Sequence, residues 1–225
     1  MPIVADSPTE AARQANLIAA TDAEMVEWRA DCLAEAPDIG TIVATTKSLA
    51  AIVAPRPLIF TWRTASEGGR AATDERCEAI LAAIIETSAA ALVDVEIHHG
   101  AAAQLMTAAA RADIPVIGST HFVDHTPPPE VIMQVLEQAE QAGASVAKVA
   151  VAPLCPSDVA TLLAATAKRA EQASVPLVTM AMGPLGLVSR VFGHVFGSRA
   201  TFATIGVPSA PGQPSLIDLR AYWAA

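Results

Sequence analysis

Short apolar runs rich in Val and Ile alternate along the chain with longer Ala- and Leu-rich stretches. The runs are Pro2–Asp6, Met25–Asp31, Pro57–Arg63, Ala91–Ile97, Pro115–His121, Ser145–Pro153, Val175–Gly183 and Thr201–Val207. Continuous apolar runs of this length read as buried strands. Pro57, Pro115 and Pro176 fall at or beside run starts, where a strand tolerates the missing N–H. The intervening stretches carry helix-start signals: Thr9–Ala20 and Thr73–Ser88 open on a capping Thr. Pro129–Gly143 opens on Pro and ends at Gly, and Ser157–Ala173 follows Pro156. Most strand-to-strand spacings match a βα unit of roughly 30 residues. Eight strands alternating with helices predict a parallel sheet, and their even number favours an α/β (β/α)8 TIM barrel formed by residues 1–225 as a single domain. An open doubly wound sheet would place a Gly-rich fingerprint after the first strand, and Ala5-Asp6-Ser7-Pro8 is unlike one.

Composition narrows the class. Hydrophobic residues make up 52% and charged residues 16% of the 225, enough for a large core and unlike a disordered chain. The opening MPIVADSPTEAARQ lacks the basic start and apolar run of a secretory leader, and no apolar stretch reaches the ~18 residues that a membrane span needs. Cys32, Cys77 and Cys155 are odd in number and scattered, which argues against a disulfide framework or zinc cage and fits a reducing cytoplasm. A formal net charge of −9 argues against nucleic acid or an anionic membrane as partner. An anionic small substrate must then be held by local cations.

In such a barrel the active site lies at the C-terminal strand ends. Unusual polar residues collect there. Glu27, Arg29 and Asp31 share one face by alternation. Arg63 ends the third run, with Glu67-Gly68-Gly69 just beyond. Asp94 and Glu96 follow in the fourth run, most simply read as a satisfied ion pair. Ser119 and His121 end the fifth run; His98 and His99 sit at a loop start and carry no expectation. Lys148, one of three lysines, stands amid Val and Ala in a central strand, whereas Lys47 and Lys168 look solvated. Burial disfavours the charged amine, and a neutral amine is a nucleophile for carbonyls. The alternative is a buried ion pair between Lys148 and Glu96 or Glu27.

Taken in order, these motifs resemble type I 3-dehydroquinate dehydratase over nearly the whole chain. They are Glu27-x-Arg29-x-Asp31, Phe60-Thr61-Trp62-Arg63 with Glu67-Gly68-Gly69, Asp94-x-Glu96, Ser119-x-His121 with Thr126-Pro127, and Ala147-Lys148-Val149-Ala150. The C-terminal block is the most specific: Met182-Gly183-x-x-Gly186-x-x-Ser189-Arg190, Phe196-Gly197-Ser198, Thr201-Phe202 and Ser209-Ala210-Pro211-Gly212-Gln213. The resemblance implies a lyase that dehydrates 3-dehydroquinate to 3-dehydroshikimate in the shikimate pathway, commonly as a homodimer, with no metal or organic cofactor. It implies that Lys148 forms a Schiff base, that His121 is the general acid/base and that Glu67 supports it. It implies that Glu27, Arg29, Arg63, Arg190, Ser209 and Gln213 hold the substrate. The Ser209–Gln213 loop is expected to act as a lid.

Three departures stand out. An Asp-Phe pair usually follows the histidine in the family, and Phe122-Val123 stands here; the N-terminus is short; Ala181 replaces a common Ser. They bear on rate and pH optimum more than on reaction type. Two rival readings are a class I aldolase, which would need a phosphate site near the last two strands, where Gly183–Gly186 could supply backbone donors, and a non-catalytic metabolite-binding or scaffold protein.

Overall fold

The computed structural model describes residues 1–34, 37–70, 72–206 and 212–224. The backbone divides into two compact units, Met1–Ile117 and Gly118–Ala225.

The first unit holds β1 (Pro2–Ile3), α1 (Pro8–Ala19), β2 (Val26–Arg29), α2 (Ile39–Val53), β3 (Leu58–Thr61), α3 (Asp74–Glu86), β4 (Leu92–Glu96), α4 (Ala102–Arg111) and the first residues of β5 (Val116–Phe122). Its strands pair in parallel in chain order, with Trp28 opposite Phe60 and Thr61 opposite Asp94. Trp28 and Phe60 meet edge to face, with ring centroids 5.6 Å apart, at the centre of a fully buried apolar layer. The second unit holds the rest of β5, then α5 (Pro129–Gln141), β6 (Val146–Val151), α6 (Pro156–Ala170), β7 (Leu177–Ala181), α7 (Leu187–Phe192) and α8 (Leu216–Ala224). There too the strands run parallel in chain order, with Lys148 opposite Val178.

Local chemistry explains the boundaries. Ser7, Asp38 and Thr73 each accept a hydrogen bond from a backbone N–H three residues on, which caps α1, α2 and α3. Pro8, Pro129 and Pro156 occupy the first helical position, where no N–H is missed. The prolines at the strand starts have a second use. Pro57, Pro115 and Pro176 cannot donate, yet their carbonyls accept from Val26, Val93 and Ala147 at 3.1, 3.2 and 3.0 Å. Each proline thus begins a ladder by its oxygen alone.

The eighth run departs from expectation. Within its described residues only Thr204 is paired, in an isolated parallel bridge to Ser215. The Thr204 hydroxyl explains why pairing stops: it accepts from the Gly206 N–H and donates to the Gly206 carbonyl, both at 3.1 Å. A side chain that occupies its neighbour's backbone groups favours a turn over a ladder. Asp31 is also displaced from its expected place. The strand ends at Arg29, and Asp31 lies on a 3-10 turn, Ala30–Cys32.

Candidate active site

In the first unit the C-terminal ends of β2, β3 and β4 carry a buried cluster of charge. Arg63, 3% exposed, is its hub. It donates from Nη2 to Asp94 Oδ1 at 2.8 Å and from Nη1 to Glu96 Oε1 at 2.9 Å, and it lies 3.5 Å from Glu67 Oε2. Burial alone would lower the Arg63 pKa; the charges of Asp94, Glu96 and Glu67 outweigh it and hold the guanidinium above its ordinary value. The ion-pair reading of Asp94 and Glu96 therefore holds, with Arg63 as partner. Arg63, expected to grip substrate, has both terminal nitrogens committed to these carboxylates.

Thr64 completes the network, donating its N–H and hydroxyl to the two Glu96 oxygens at 2.9 and 2.6 Å. Thr61 donates to Glu27 Oε1 at 2.8 Å. Neither threonine was expected to support a site residue; the only signal was Thr61's place in the Phe60–Arg63 motif. Arg29 meets Asp31 in a two-pronged fork of 2.7 and 2.8 Å despite the displaced backbone. Burial would lower its pKa, but the Asp31 fork and the charges of Asp31 and Glu27 hold it up. The loop carrying Glu67 folds tightly because Gly68 takes a left-handed φ of 86° and Gly69 lies against the Arg63 carbonyl. A Cβ on Gly69 would fall 2.0 Å from that oxygen.

In the second unit Lys148 sits mid-strand on β6 and is 6% exposed. Its neighbours along the strand, Ala147 and Val149, are fully buried. Its Nζ lies 5.2 Å from the centre of the Phe202 ring. Ser119 and half-buried His121, two residues apart on β5, share one strand face. Lys148 and His121 each have further interactions within the fold.

Arg190 is placed by a chain of backbone devices that accounts for the Met182–Arg190 motif. Gly183 takes φ 71°, a conformation open to glycine. Gly186 lies so close to Ala181 that a Cβ would fall 2.0 Å from its carbonyl oxygen. The Ser189 hydroxyl then ties the turn together, accepting from Ala181 N at 2.8 Å and donating to the Gly186 carbonyl at 2.7 Å. The next residue, Arg190, is 2% exposed. Its Nη1 lies 3.7 Å from the Met180 sulfur, and its Nε has no partner among the described residues. Burial pushes its pKa down to about 10, which leaves it cationic at neutral pH.

Gln213 is half-buried and engaged in the fold. Ser209, and with it most of the expected lid, lies outside the described residues. Lys47 and Lys168 are exposed, as their surroundings suggested. Arg169, next to Lys168 in the chain, is buried and paired with Glu140. Among the described residues no group of three or more His, Cys, Asp or Glu is arranged to hold a metal ion. No described helix is long and apolar enough to cross a membrane.

Residues 1–224 match the family model for type I 3-dehydroquinase. The chain is 36% identical over 222 residues to the 3-dehydroquinate dehydratase of Geobacillus kaustophilus, covering 97% of this chain and 86% of that one. It is 38% identical over 204 residues to the enzyme of that name from Shigella dysenteriae, covering 89% and 81%. In three dimensions it is similar to the crystal structure of the Geobacillus kaustophilus enzyme, with a TM-score of 0.95 and 34% identity over 99% of this chain and 88% of that one. It is also similar to a type I 3-dehydroquinate dehydratase from Clostridium difficile with covalent modified comenic acid, at a TM-score of 0.94 and 30% identity, covering 99% and 89%. These likenesses, with the parallel strand–helix alternation, give the (β/α)8-barrel class.

Proposed function

The chain belongs to the type I 3-dehydroquinase family, and we propose that it dehydrates 3-dehydroquinate to 3-dehydroshikimate, a step of the shikimate pathway, through an imine on Lys148. The observation that carries this reading is an amine in the apolar wall of a barrel strand, 6% exposed. In its neutral form such an amine is a nucleophile that can attack a ketone. The covalent modified ligand in the Clostridium difficile relative accords with covalent chemistry.

The steps balance as follows. The Lys148 nitrogen adds its lone pair to the carbonyl carbon. The carbonyl oxygen takes up protons and leaves as water, and the nitrogen becomes a protonated imine. The imine draws electrons, so the adjacent C–H is acidified. His121 takes that proton, and the C–H electrons neutralise the nitrogen as an enamine. The enamine pushes out the β-hydroxyl, which leaves as water with the proton from His121. An imidazole titrates near ~6.5 and can serve both ways. Water hydrolyses the remaining imine to the enone and frees Lys148. The imine itself is the electron sink, so the chemistry calls for no metal or organic cofactor.

Arg190 suits the substrate carboxylate, because its planar fork can bind two oxygens at once. Glu27, Arg29 and Gln213 would take ring hydroxyls, and Ser209 would join them from the loop. Glu67 would support His121. Arg63 acts through the carboxylates it fixes. The subunits pair as homodimers in a cytoplasmic setting.

Borohydride added with 3-dehydroquinate is expected to leave a reduced adduct on Lys148, read by mass spectrometry. Lys148→Ala should lose both the adduct and the rise in enone absorbance. An adduct that survives this change would move the imine to another residue.

A further inference from the structure

We propose that Phe202 is a further catalytic residue, whose ring face stabilises the positive charge that the Lys148 nitrogen carries as a protonated imine. This rests on the imine reading above.

The geometry comes first. Lys148 Nζ stands over the Phe202 ring at 5.2 Å from its centre. That is inside the ~6 Å range over which a cation is attracted by the negative face of an aromatic ring. At 6% exposure for Lys148, water screens the attraction little. The ring is also held in place. Phe202 packs against buried Ala150, Val178 and Met180, and Val178 is the residue paired with Lys148 across β6 and β7. The ring therefore borders the strand pair that carries the nucleophile.

The charge on nitrogen changes along the reaction. It is positive in the first protonated imine, neutral in the enamine and positive again once the β-hydroxyl has left. A fixed quadrupole on that nitrogen favours both charged stages relative to the neutral amine. It does so with no second titratable group and no proton transfer. Phe202 thus helps the imine to form and helps the enamine to expel hydroxide as water.

The test separates electrostatics from packing. Phe202 is replaced in the full-length chain by mono-, tri- and pentafluorinated phenylalanine, which drains the ring face of negative charge with little change of shape. Enzyme and sub-saturating 3-dehydroquinate are quenched with borohydride, and the ratio of Lys148 adduct to unmodified enzyme is read by mass spectrometry. The expected result is a stepwise fall in that ratio with each stage of fluorination, reaching roughly 5- to 30-fold in the fully fluorinated ring. Melting temperature across the series checks that the fold is kept, and the monofluorinated ring, nearly isosteric, keeps the trend measurable. If phenylalanine and all fluorinated rings give one ratio, the role of the ring is overturned while the imine stands. If the unmodified protein gives no adduct on Lys148, the imine reading itself fails and the inference with it.

Discussion

Two arginines of this chain are buried to the same degree and do opposite things. Arg63 is saturated with carboxylates, and Arg190 has none among the described residues. Their substitutions should differ accordingly. Arg63→Met removes the buried cation that Asp94 and Glu96 share, a loss of about 3–5 kcal/mol in stability. Thermal unfolding should register it as a fall on the order of 10 °C. Arg190→Lys keeps the charge but loses the fork, so KM for 3-dehydroquinate should rise at least about tenfold while the melting temperature moves little. An unchanged KM would remove Arg190 from the substrate. His121→Ala should still give a trapped imine but stop elimination, which borohydride and the enone assay read separately. At this scale much was legible from residue type. A lysine between Ala147 and Val149 is conspicuous in a sequence, whereas the support that Thr61 and Thr64 give to Glu27 and Glu96 depends on pairing between strands more than thirty residues apart.

Elements were legible where they announce themselves locally. Thr73 and the first-turn prolines Pro129 and Pro156 marked α3, α5 and α6 to within a few residues, because those signals act over one turn; α1 is capped by Ser7 and not by the expected Thr9, which lies inside the helix. The eighth run shows the limit: its apolar character is that of a strand, but the Thr204 hydroxyl captures the backbone of Gly206. Asp31 shows another, since alternation assumes a strand that in fact ends at Arg29. Two predictions belong here. Gly186→Ala forces a methyl onto the Ala181 carbonyl, so the turn before α7 must shift and carry Ser189 and Arg190 with it. Both a lower melting temperature and a higher KM are expected. Glu140 accepts from the Ser174 hydroxyl and N–H and pairs with Arg169, joining α5 to α6 and the turn after it. The Ser174 hydroxyl, then its N–H, then Arg169 hold the Glu140 carboxyl below its ordinary pKa. Its stabilising effect is therefore complete above the ordinary carboxylate range and is lost as pH falls through the lowered value. In Glu140→Gln that part of the acid-induced loss of stability should vanish, as a comparison of melting temperature against pH between the two proteins will show.

For the whole molecule, the order of motifs carried more information than any one of them. A strand lysine alone left an ion pair and an aldolase open; its place after Glu27-x-Arg29 and before the Gly183–Arg190 block pointed to one family, and residues 1–224 match that family. The (β/α)8 class was legible from alternation, while the arrangement of charge inside it was not, because alternation says nothing of which buried acid meets which buried base. The homodimer expected for this chain predicts a light-scattering mass of twice 23.2 kDa, and a mass of one subunit would refute it.

The guanidinium on α7, which has no carboxylate partner among the described residues, also sets how the empty and filled proteins should compare. Keeping a cation away from water without an anion beside it is a standing cost, and an incoming carboxylate removes it. Heat should therefore discriminate between ligands by their anionic group: small carboxylic acids that reach Arg190 will raise the melting point in proportion to the logarithm of their concentration, and their methyl esters will not. A dye-based melting screen could thus rank inhibitors of this protein without any turnover assay.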